Sequence, residues 1–299
     1  MYGAGAMFGQ KNVFLALSIK IHPYFSHKTN FNMNPFWGEF IGTMLLILLG
    51  DGVVGGVLLK KSKWHGGSTG IINVGWGLAV TIGIYAAATS NSGAHLNPAV
   101  SVALAATGAF PWSDVPAYVL AQMLGAFTGA TLVWLHYLPH WRATEDQGAK
   151  LAVFSTAPAI RSRWSNLLGE IIGTFVLVAG VLFIGANKFS EGLNPMAVGA
   201  LVIAIGMCLG GTTGYAINPA RDLAPRIAHF LLPVAGKGSS DWNYAAIPVV
   251  GPLLGGLMGA LFHQAVSSAT VQPALWVVAL AVAVVAVLAV LEQSKNQST

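Results

Sequence analysis

The fold is decided by two matching stretches of the chain, Gly93-Ala-His-Leu-Asn-Pro-Ala99 and Gly214-Tyr-Ala-Ile-Asn-Pro-Ala-Arg-Asp222. In each, an asparagine, which is a good helix cap, stands before a proline, which is favoured at the first helical position because its missing N–H would have no partner there. The apolar residues that follow cover only 98–109 and 219–232, whereas a transmembrane helix needs about 20 residues. Each stretch therefore predicts a half-helix that enters a membrane from one side.

The composition around these stretches is that of a membrane protein. Of the 299 residues, 55% are hydrophobic and 8% are charged, and the mean hydropathy is +0.65. Soluble domains carry about 25% charged residues. Because so few charges cannot cover a water-facing surface, most of the outer surface must face lipid. Six apolar runs are predicted to span the bilayer, at 36–59, 71–89, 115–137, 167–186, 196–209 and 245–266.

The chain also repeats itself. Gly38-Glu-Phe-Ile-Gly-Thr43 in the first span matches Gly169-Glu-Ile-Ile-Gly-Thr174 in the fourth, and the two half-helix stretches follow in the same order. Each half holds three full spans, an odd number, so the second half must enter the membrane in the opposite orientation. This predicts a channel domain at 34–266 built from an inverted repeat, with repeat 1 at about 36–137 and repeat 2 at about 165–266.

Two half-helices that meet tip to tip would form a pore for neutral solutes. Each helix N-terminus carries about +0.5 elementary charge, so the facing tips repel cations, including hydronium. If capping holds each side-chain oxygen, only the N–H donors of Asn97 and Asn218 face a passing oxygen. The extended backbone before each cap would add pore-lining carbonyl acceptors, which belong to Gly93, Ala94, His95, Gly214 and Ala216.

Five polar residues near the half-helices have a structural or a functional interpretation. Arg221 is costly inside a membrane and is interpreted as a selectivity residue, with an interhelical salt bridge, for example to the neighbouring Asp222, as the alternative. Glu39 and Glu170 occupy equivalent places in the two halves, and they are interpreted as buried structural acceptors for loop N–H groups rather than as proton carriers. His95 is expected to be a hydrogen-bonded strut beside the pore.

Together these features resemble the aquaporin, or major intrinsic protein, family. The resemblance covers about residues 36–266 and rests on the duplicated Gly-Glu-x-x-Gly-Thr motif and the two Asn-Pro-Ala motifs, Asn97-Pro98-Ala99 and Asn218-Pro219-Ala220. It implies an all-α membrane protein, a right-handed bundle of six transmembrane helices plus two half-helices in an inverted repeat. It also implies a homotetramer with one pore per subunit.

Within this family the chain resembles a bacterial glycerol facilitator, or aquaglyceroporin. The resemblance places the selectivity filter at Trp76, Gly206, Tyr215 and Arg221. A glycine replaces the histidine of strict water channels and so leaves a wider gap. Trp76 and Tyr215 would form an apolar corner opposite Arg221, and Asp222 directly after the arginine is the glycerol-channel form of the motif.

Two departures from the glycerol-channel pattern stand out. Trp76 lies 21 residues before Asn97, one more than that pattern has, so an inserted residue is expected around 89–92. Tyr215 adds a hydroxyl where the best-known glycerol channels carry phenylalanine. The extra hydroxyl would make the filter more polar or slightly narrower.

The resemblance implies a passive channel for glycerol and other small neutral solutes together with water, which excludes ions and protons. The alternative is a channel tuned to urea, dihydroxyacetone, hydrogen peroxide or lactic acid, or mainly to water. A coupled transporter would need titratable groups along a pathway, and besides Arg221 and Asp222 the core offers mainly Glu39, Asp51 and Glu170. An enzyme is disfavoured, since no nucleophile–base pair, phosphate loop or metal cluster is visible. No cofactor, metal or nucleic-acid partner is expected.

Two segments flank the predicted channel domain. Residues 1–33 hold only a short apolar run and are expected to be a cytoplasmic or disordered tail, or the product of an upstream start. Residues 267–299 form a C-terminal extension whose apolar run 274–291 predicts a helix that is either a seventh span or lies against the bundle. A multi-pass protein of the cell membrane, the bacterial inner or plasma membrane, is expected.

Overall fold

The computed structural model describes residues 34–268 and 271–297, which form α-helices and connecting loops. In chain order the helices of the described residues are α1 (Pro35–Leu58), α2 (Thr69–Ala88), α3 (Pro98–Ala106), α4 (Val115–His136), α5 (Leu138–Ala143), α6 (Gln147–Phe154), α7 (Arg163–Gly185), α8 (Asn194–Leu209), α9 (Pro219–Leu231), α10 (Ile247–Ser268) and α11 (Pro273–Gln297). The expectation for residues 1–33 lies outside the described residues.

The predicted half-helices are α3 and α9, and each begins at its proline. Asn97 Oδ1 accepts a hydrogen bond from the backbone N–H of Ala99 at 2.9 Å, and Asn218 Oδ1 accepts one from Ala220 at 3.0 Å. Helix α1 starts by the same rule, with Asn34 capping a helix whose first residue is proline. The half-helices end slightly earlier than predicted, since α3 stops at residue 106 rather than 109 and α9 at 231 rather than 232.

The helices pack as two inverted copies of one arrangement, as predicted. Helix α1 packs on α2 and α4, helix α7 packs on α8 and α10, and each half-helix also lies against the other copy, α3 on α10 and α9 on α4. Glycines allow the close helix pairs. A Cβ on Gly129 of α4 would lie 2.5 Å from the carbonyl oxygen of Met44, and one on Gly259 of α10 would lie 2.8 Å from that of Phe175. Larger residues would push either pair apart.

Six helices of the described residues are long and apolar enough to cross a membrane, namely α1, α2, α4, α7, α10 and α11. The span predicted at 196–209 is α8, which has 16 residues and is therefore about 24 Å long. It is shorter than a hydrocarbon core of about 30 Å, but it packs within the bundle against α2 and α7. The sixth long helix is α11, which contains the predicted run 274–291.

The link between the two copies contains two short helices, α5 and α6, that the sequence did not predict. Trp141 and Phe154 are buried there and stack with ring centroids 5.5 Å apart. Lys150 Nζ donates a hydrogen bond to the carbonyl oxygen of Ala235 at 2.6 Å, which ties the link to the loop after α9. The link therefore folds back onto the bundle end near the second half-helix.

Helix α11 lies along α7 and α10 and is fastened at the start of α7. Glu292 accepts hydrogen bonds from the backbone N–H groups of Arg163 at 2.9 Å and Trp164 at 3.0 Å, and from the Ser162 hydroxyl at 2.7 Å. Ser162 is the N-cap of α7 but makes no capping bond with its own side chain, so Glu292 satisfies the first helical N–H groups. The C-terminal part of α11 thus lies beside the N-terminus of α7, and the two helices run antiparallel.

Candidate functional site

The tips of the two half-helices are joined by their capping asparagines. Asn97 Nδ2 donates a hydrogen bond to the carbonyl oxygen of Ile217, and Asn218 Nδ2 donates one to that of Leu96, both at 2.8 Å. The oxygen of each amide is already used as a helix cap, and an amide NH₂ group has two hydrogens. Each asparagine therefore keeps one N–H beyond the cross-link, at the positive end of a helix.

The backbone that leads into each half-helix is held by a buried glutamate. The Glu39 carboxylate accepts hydrogen bonds from the backbone N–H groups of His95 at 2.9 Å and Leu96 at 2.7 Å. Glu170 repeats this arrangement in the second copy, with Ala216 at 3.0 Å and Ile217 at 2.8 Å. Both carboxylates therefore serve as acceptors for loop N–H groups.

Each of these approach segments carries strained backbone. Ala94 and Leu96 in the first, and Tyr215 and Ile217 in the second, have positive φ values between 40° and 53°. Residues other than glycine rarely adopt this conformation, and each such residue costs about 1–3 kcal/mol. The paired hydrogen bonds to a glutamate offset that cost and hold the segment in an extended, non-helical path.

His95 is braced by its side chain as well as by its backbone. Its Nδ1 lies 3.0 Å from Ser101 Oγ, and its ring packs against those of Phe110 and Tyr118 at centroid distances of 4.7 and 4.9 Å. This is the geometry of the expected strut. Within residues 34–268 and 271–297, no group of three or more His, Cys, Asp or Glu side chains is placed to hold a metal ion.

A cavity of about 170 Å³ runs past both tips. This is below the 300–1,000 Å³ typical of sites for drug-sized ligands. Its lining is largely apolar and includes Leu46, Val80, Leu177, Val198 and Val202. Polar groups come from the two capping asparagines, from Asn194 and Arg221, and from the predicted carbonyl-bearing residues Gly93, Ala94, His95 and Ala216. Gly214, also predicted, does not line the cavity. Such a cavity suits a small neutral molecule with polar groups along one edge.

Three of the four predicted filter residues, Trp76, Tyr215 and Arg221, line this cavity together. The Arg221 guanidinium carbon lies 4.1 Å from the centroid of the Trp76 ring, which is the geometry of a cation–π contact. Arg221 Nη1 also lies 3.9 Å from Asp51 Oδ1. The arginine head is thus placed against an aromatic face, and part of its side chain still reaches the cavity.

Gly206, the fourth predicted filter residue, is not among the cavity-lining residues, but it makes room for a neighbour that is. A Cβ at this position would lie 2.8 Å from Tyr215 Cζ and 2.8 Å from Asn73 Oδ1. The Tyr215 hydroxyl donates a hydrogen bond to Asn73 Oδ1 at 2.8 Å. The Tyr215 hydroxyl, which was predicted to make the filter more polar or narrower, is therefore directed at helix α2. The Tyr215 side chain offers the surface of its ring to the cavity.

Asn73 was not predicted as a site residue from the sequence. Its only signal is a polar residue in an apolar span, one helical turn before Trp76. A polar side chain in such a span marks a packed or wet face rather than lipid. That reasoning would have placed Asn73 near the filter without identifying Tyr215 as its partner.

The interhelical salt bridge raised as the alternative for Arg221 is seen with Asp51 of α1, at 3.9 Å, and within the described residues none forms between Arg221 and Asp222. Asp222 is buried and binds Arg226, with Oδ1 2.7 Å from Nη2, and its Oδ2 accepts hydrogen bonds from the backbone N–H and hydroxyl of Thr156 at 2.7 and 2.6 Å. Arg226 in turn donates to the carbonyl oxygen of Ser240 at 2.9 Å. Asp222 thus acts as a buried structural group, and it leaves Arg221 to other partners.

The expected insertion region, 89–92, forms a tight turn after α2. Asn91 has a positive φ of 57°, and Ser92 Oγ accepts a hydrogen bond from the backbone N–H of Ala94 at 3.0 Å. The Tyr118 hydroxyl donates to the Ser92 carbonyl oxygen at 2.6 Å. With this loop in place, Trp76 lines the cavity.

Comparisons with known proteins agree with this architecture. The model of the major intrinsic protein family matches residues 26–263. The glycerol uptake facilitator protein of Bacillus subtilis is 57% identical over 253 residues, which are 85% of this chain and 92% of that protein. The probable glycerol uptake facilitator protein of Thermotoga maritima is 59% identical over 232 residues, which are 78% of this chain and 99% of that protein.

A solved structure is similar as well. The aquaglyceroporin from Plasmodium falciparum superimposes with a TM-score of 0.70 at 30% sequence identity, and the match covers 78% of this chain and 96% of that one. The resemblance predicted from the paired motifs is therefore confirmed, as is the all-α inverted-repeat fold. On the sequence match, the helices and the paired half-helices, the chain belongs to the major intrinsic protein family and is a multi-pass membrane channel rather than an enzyme.

Proposed function

We propose that the chain is a passive channel of the bacterial cell membrane that conducts glycerol and other small neutral solutes together with water, and that excludes ions and protons. The observation that carries this proposal is the pair of capped half-helix tips facing one narrow cavity beside Arg221 and Trp76. The facilitators of Bacillus subtilis and Thermotoga maritima, named for glycerol uptake, support the choice of solute.

Exclusion of charge follows from the tips. Both helix N-termini place partial positive charge at the same point of the pathway, and Arg221 adds a full one, so a cation meets repulsion without a carboxylate on the cavity surface. The free amide N–H groups of Asn97 and Asn218 donate to a water oxygen. A water held in this way cannot also accept a proton from its neighbour, which interrupts a proton wire.

Preference for a polyol follows from the constriction. The rings of Trp76 and Tyr215 offer apolar surface to the carbon chain, and the fork of donors on Arg221 suits hydroxyl oxygens. Because the Tyr215 hydroxyl donates its hydrogen bond to Asn73, the surface that the Trp76 and Tyr215 rings offer to the solute remains apolar. The space behind it depends on Gly206, because any larger residue there would displace the tyrosine ring.

Stopped-flow light scattering on proteoliposomes tests this function. We expect glycerol permeability well above that of protein-free liposomes, urea permeability below that of glycerol, and sorbitol permeability at the background level. Glycerol permeability at background would overturn the proposal, and urea entering faster than glycerol would favour a channel tuned to another neutral solute.

A matched pair of variants makes the same assay specific for the constriction. In Gly206→Ala the new Cβ would meet both the Tyr215 ring and Asn73 Oδ1 at 2.8 Å, so this pair must shift. We expect glycerol permeability to fall more than water permeability. Gly211→Ala is the control, because a Cβ there has open space around it. Equal effects of the two substitutions would argue against this site as the constriction.

The proposal extends to topology and assembly. Helix α11 has 25 residues, about 37 Å, and runs antiparallel to α7, so it is proposed as a seventh span in the C-terminal extension 267–299. A homotetramer is proposed on the family resemblance and is tested by native mass spectrometry in detergent.

Maleimide labelling in cells tests the seventh span. In a Cys208→Ser background, a cysteine appended after residue 299 should react with a membrane-impermeant reagent from the same side as Ser239→Cys. Ser239 lies beside the start of α7, because its neighbour Asp241 pairs with Arg161. Glu191→Cys, in the loop after α7, should react from the opposite side. Labelling that follows Glu191→Cys would show that α11 does not cross the membrane.

A further inference from the structure

Asp51 of α1 is a buried carboxylate for which the proposed function gives no role. Its relative exposure is 0%, and neither of its oxygens accepts a hydrogen bond from any group that the structure describes. It is also not among the residues that line the cavity. An ionised carboxylate is costly to bury without a partner, so a retained aspartate at this depth marks a specific interaction.

One cation faces this carboxylate. Arg221 Nη1 lies 3.9 Å from Asp51 Oδ1, and within residues 34–268 and 271–297 that nitrogen likewise has no hydrogen-bond acceptor. The neighbouring carboxylate, Asp222, is fully engaged by Arg226 and Thr156. The two unmatched charges of the membrane core thus face each other, at a distance where attraction is strong in a low-dielectric surrounding.

The position of Asp51 relative to the constriction is set by its neighbour Gly50. A Cβ on Gly50 would lie 2.2 Å from the Trp76 ring, so α1 presses directly on that ring. The same ring also contacts Arg221, whose guanidinium carbon lies 4.1 Å from the ring centroid. Trp76 and Asp51 are therefore two supports for one guanidinium, an aromatic face and a negative charge.

We propose that Asp51 is the counter-ion and positioning residue of Arg221, and that it sets the solute selectivity of the constriction from outside the cavity. The contact is an ion pair longer than a hydrogen bond, so it draws the Arg221 head toward α1 while its donors stay available to solute hydroxyls. This inference rests on the proposed function of Arg221 in the filter.

The test compares the ratio of glycerol to water permeability in proteoliposomes. Asp51→Asn keeps the shape of the side chain and removes its charge. We expect the ratio to fall by about threefold or more, because the released guanidinium moves into the passage and obstructs glycerol more than water. Thr43→Val is the control, since Thr43 is also fully buried on α1 and its hydroxyl has no partner among the described residues.

A second background separates positioning from general structural damage. In Arg221→Ala, the further change Asp51→Asn should leave the ratio unchanged, because the group on which Asp51 acts is absent. The proposal is wrong if Asp51→Asn shifts the ratio by the same factor in both backgrounds, or shifts it in neither.

If a variant cannot be assayed for permeability, the yield of folded protein tests the proposal instead. If Asp51→Asn is not recovered but the double variant with Arg221→Ala is, the two charges are coupled and the proposal stands. If neither is recovered while Thr43→Val and Arg221→Ala are, Asp51 is needed for the fold independently of Arg221 and the proposal fails. Wild-type glycerol permeability at background would instead defeat the proposed function, and it would be seen before any variant is compared.

Discussion

The two half-helices begin alike and then differ. Helices α3 and α9 share a capping asparagine, a first proline, a buried glutamate under the approach segment and a reciprocal bond between the tips. Three residues after the cap, α3 has Val100 where α9 has Arg221, and four residues after it α3 has Ser101 where α9 has Asp222. In the proposed function the shared parts place partial positive charge at both tips, and Arg221 adds to it from the second half-helix alone. Only the second half-helix carries the groups that would choose among neutral solutes.

The side-chain contacts that hold the two half-helices in place also differ. Ser101 contacts the neutral side chains of His95 and Gln122 through hydrogen bonds. Asp222 instead forms a buried ion pair with Arg226, which also binds the carbonyl oxygen of Thr156 in the link between the copies. The half-helix that carries Arg221 is thus fastened by a buried ion pair, whereas the other is fastened by hydrogen bonds between neutral side chains.

The largest expected difference between the half-helices concerns stability. Asp222→Ala leaves the Arg226 charge buried and unpaired, so we expect a loss of about 3–5 kcal/mol in the free energy of unfolding and poor recovery of folded protein. The matched change Ser101→Ala in α3 should cost about 1–3 kcal/mol, since it leaves only neutral partners unpaired. Thermal unfolding in detergent, followed by tryptophan fluorescence, measures both. Equal costs would show that the two anchors are equivalent.

The next prediction concerns the parts that the half-helices share. Glu39→Gln and Glu170→Gln each replace one accepting oxygen by an NH₂ group that cannot accept a backbone N–H, so each should destabilise the protein by about 1–3 kcal/mol. The two losses should agree within about 1 kcal/mol in the same unfolding assay. A large loss at one site only would mean that the approach segments are not equivalent. The proton-carrier interpretation would return under two conditions. Wild-type glycerol uptake would have to depend on a proton gradient, and either variant would have to lose that uptake.

A third prediction concerns selectivity in the second half-helix alone. Arg221→Ala removes charged donors whose hydrogen bonds are worth about 1.5–3 kcal/mol, so the ratio of glycerol to sorbitol permeability should fall about tenfold or more. Val100→Ala, at the equivalent place in α3, should change this ratio little although Val100 also lines the cavity. Stopped-flow measurements with both solutes provide the ratio. A larger effect at Val100 would place the discriminating surface in the first half-helix.

The smallest expected effect comes from the hydroxyl of Tyr215. Because this hydroxyl binds Asn73, Tyr215→Phe should leave the ratio of glycerol to water permeability nearly unchanged and should cost about 1 kcal/mol of stability. The permeability assay and thermal unfolding test the two parts separately. A several-fold change in the ratio with no loss of stability would show that the hydroxyl contacts solute instead.

The groups that were predictable from the sequence act through local rules. The capping asparagines and the prolines after them define a helix start within three residues, and the inverted repeat follows from counting spans between two copies of a motif. The missed groups act across long separations. Asn73 and Tyr215 are 142 residues apart, and the sequence around either residue gives no indication that the two are in contact. Asp51 was recognised as a charge in the core, but its partner could be found only once α1 and α9 were placed together.

The two helices of the link were missed for another physical reason. Helix α5 has six residues and α6 has eight, too few for a helical pattern of apolar residues to stand out. Their burial comes from contacts such as Lys150 with the loop after α9, which belong to the folded bundle rather than to the local sequence.

The cap that Glu292 places on α7 has a consequence for the order of synthesis. The N-terminus of α7 is made about 130 residues before the carboxylate that satisfies its first N–H groups. During translation this helix start must therefore wait, with its donors open to water or lipid headgroups, until α11 has been made and has returned along α7. A chain that stops short of Glu292 would contain every residue of the cavity and still lack the acceptor for the first N–H groups of α7.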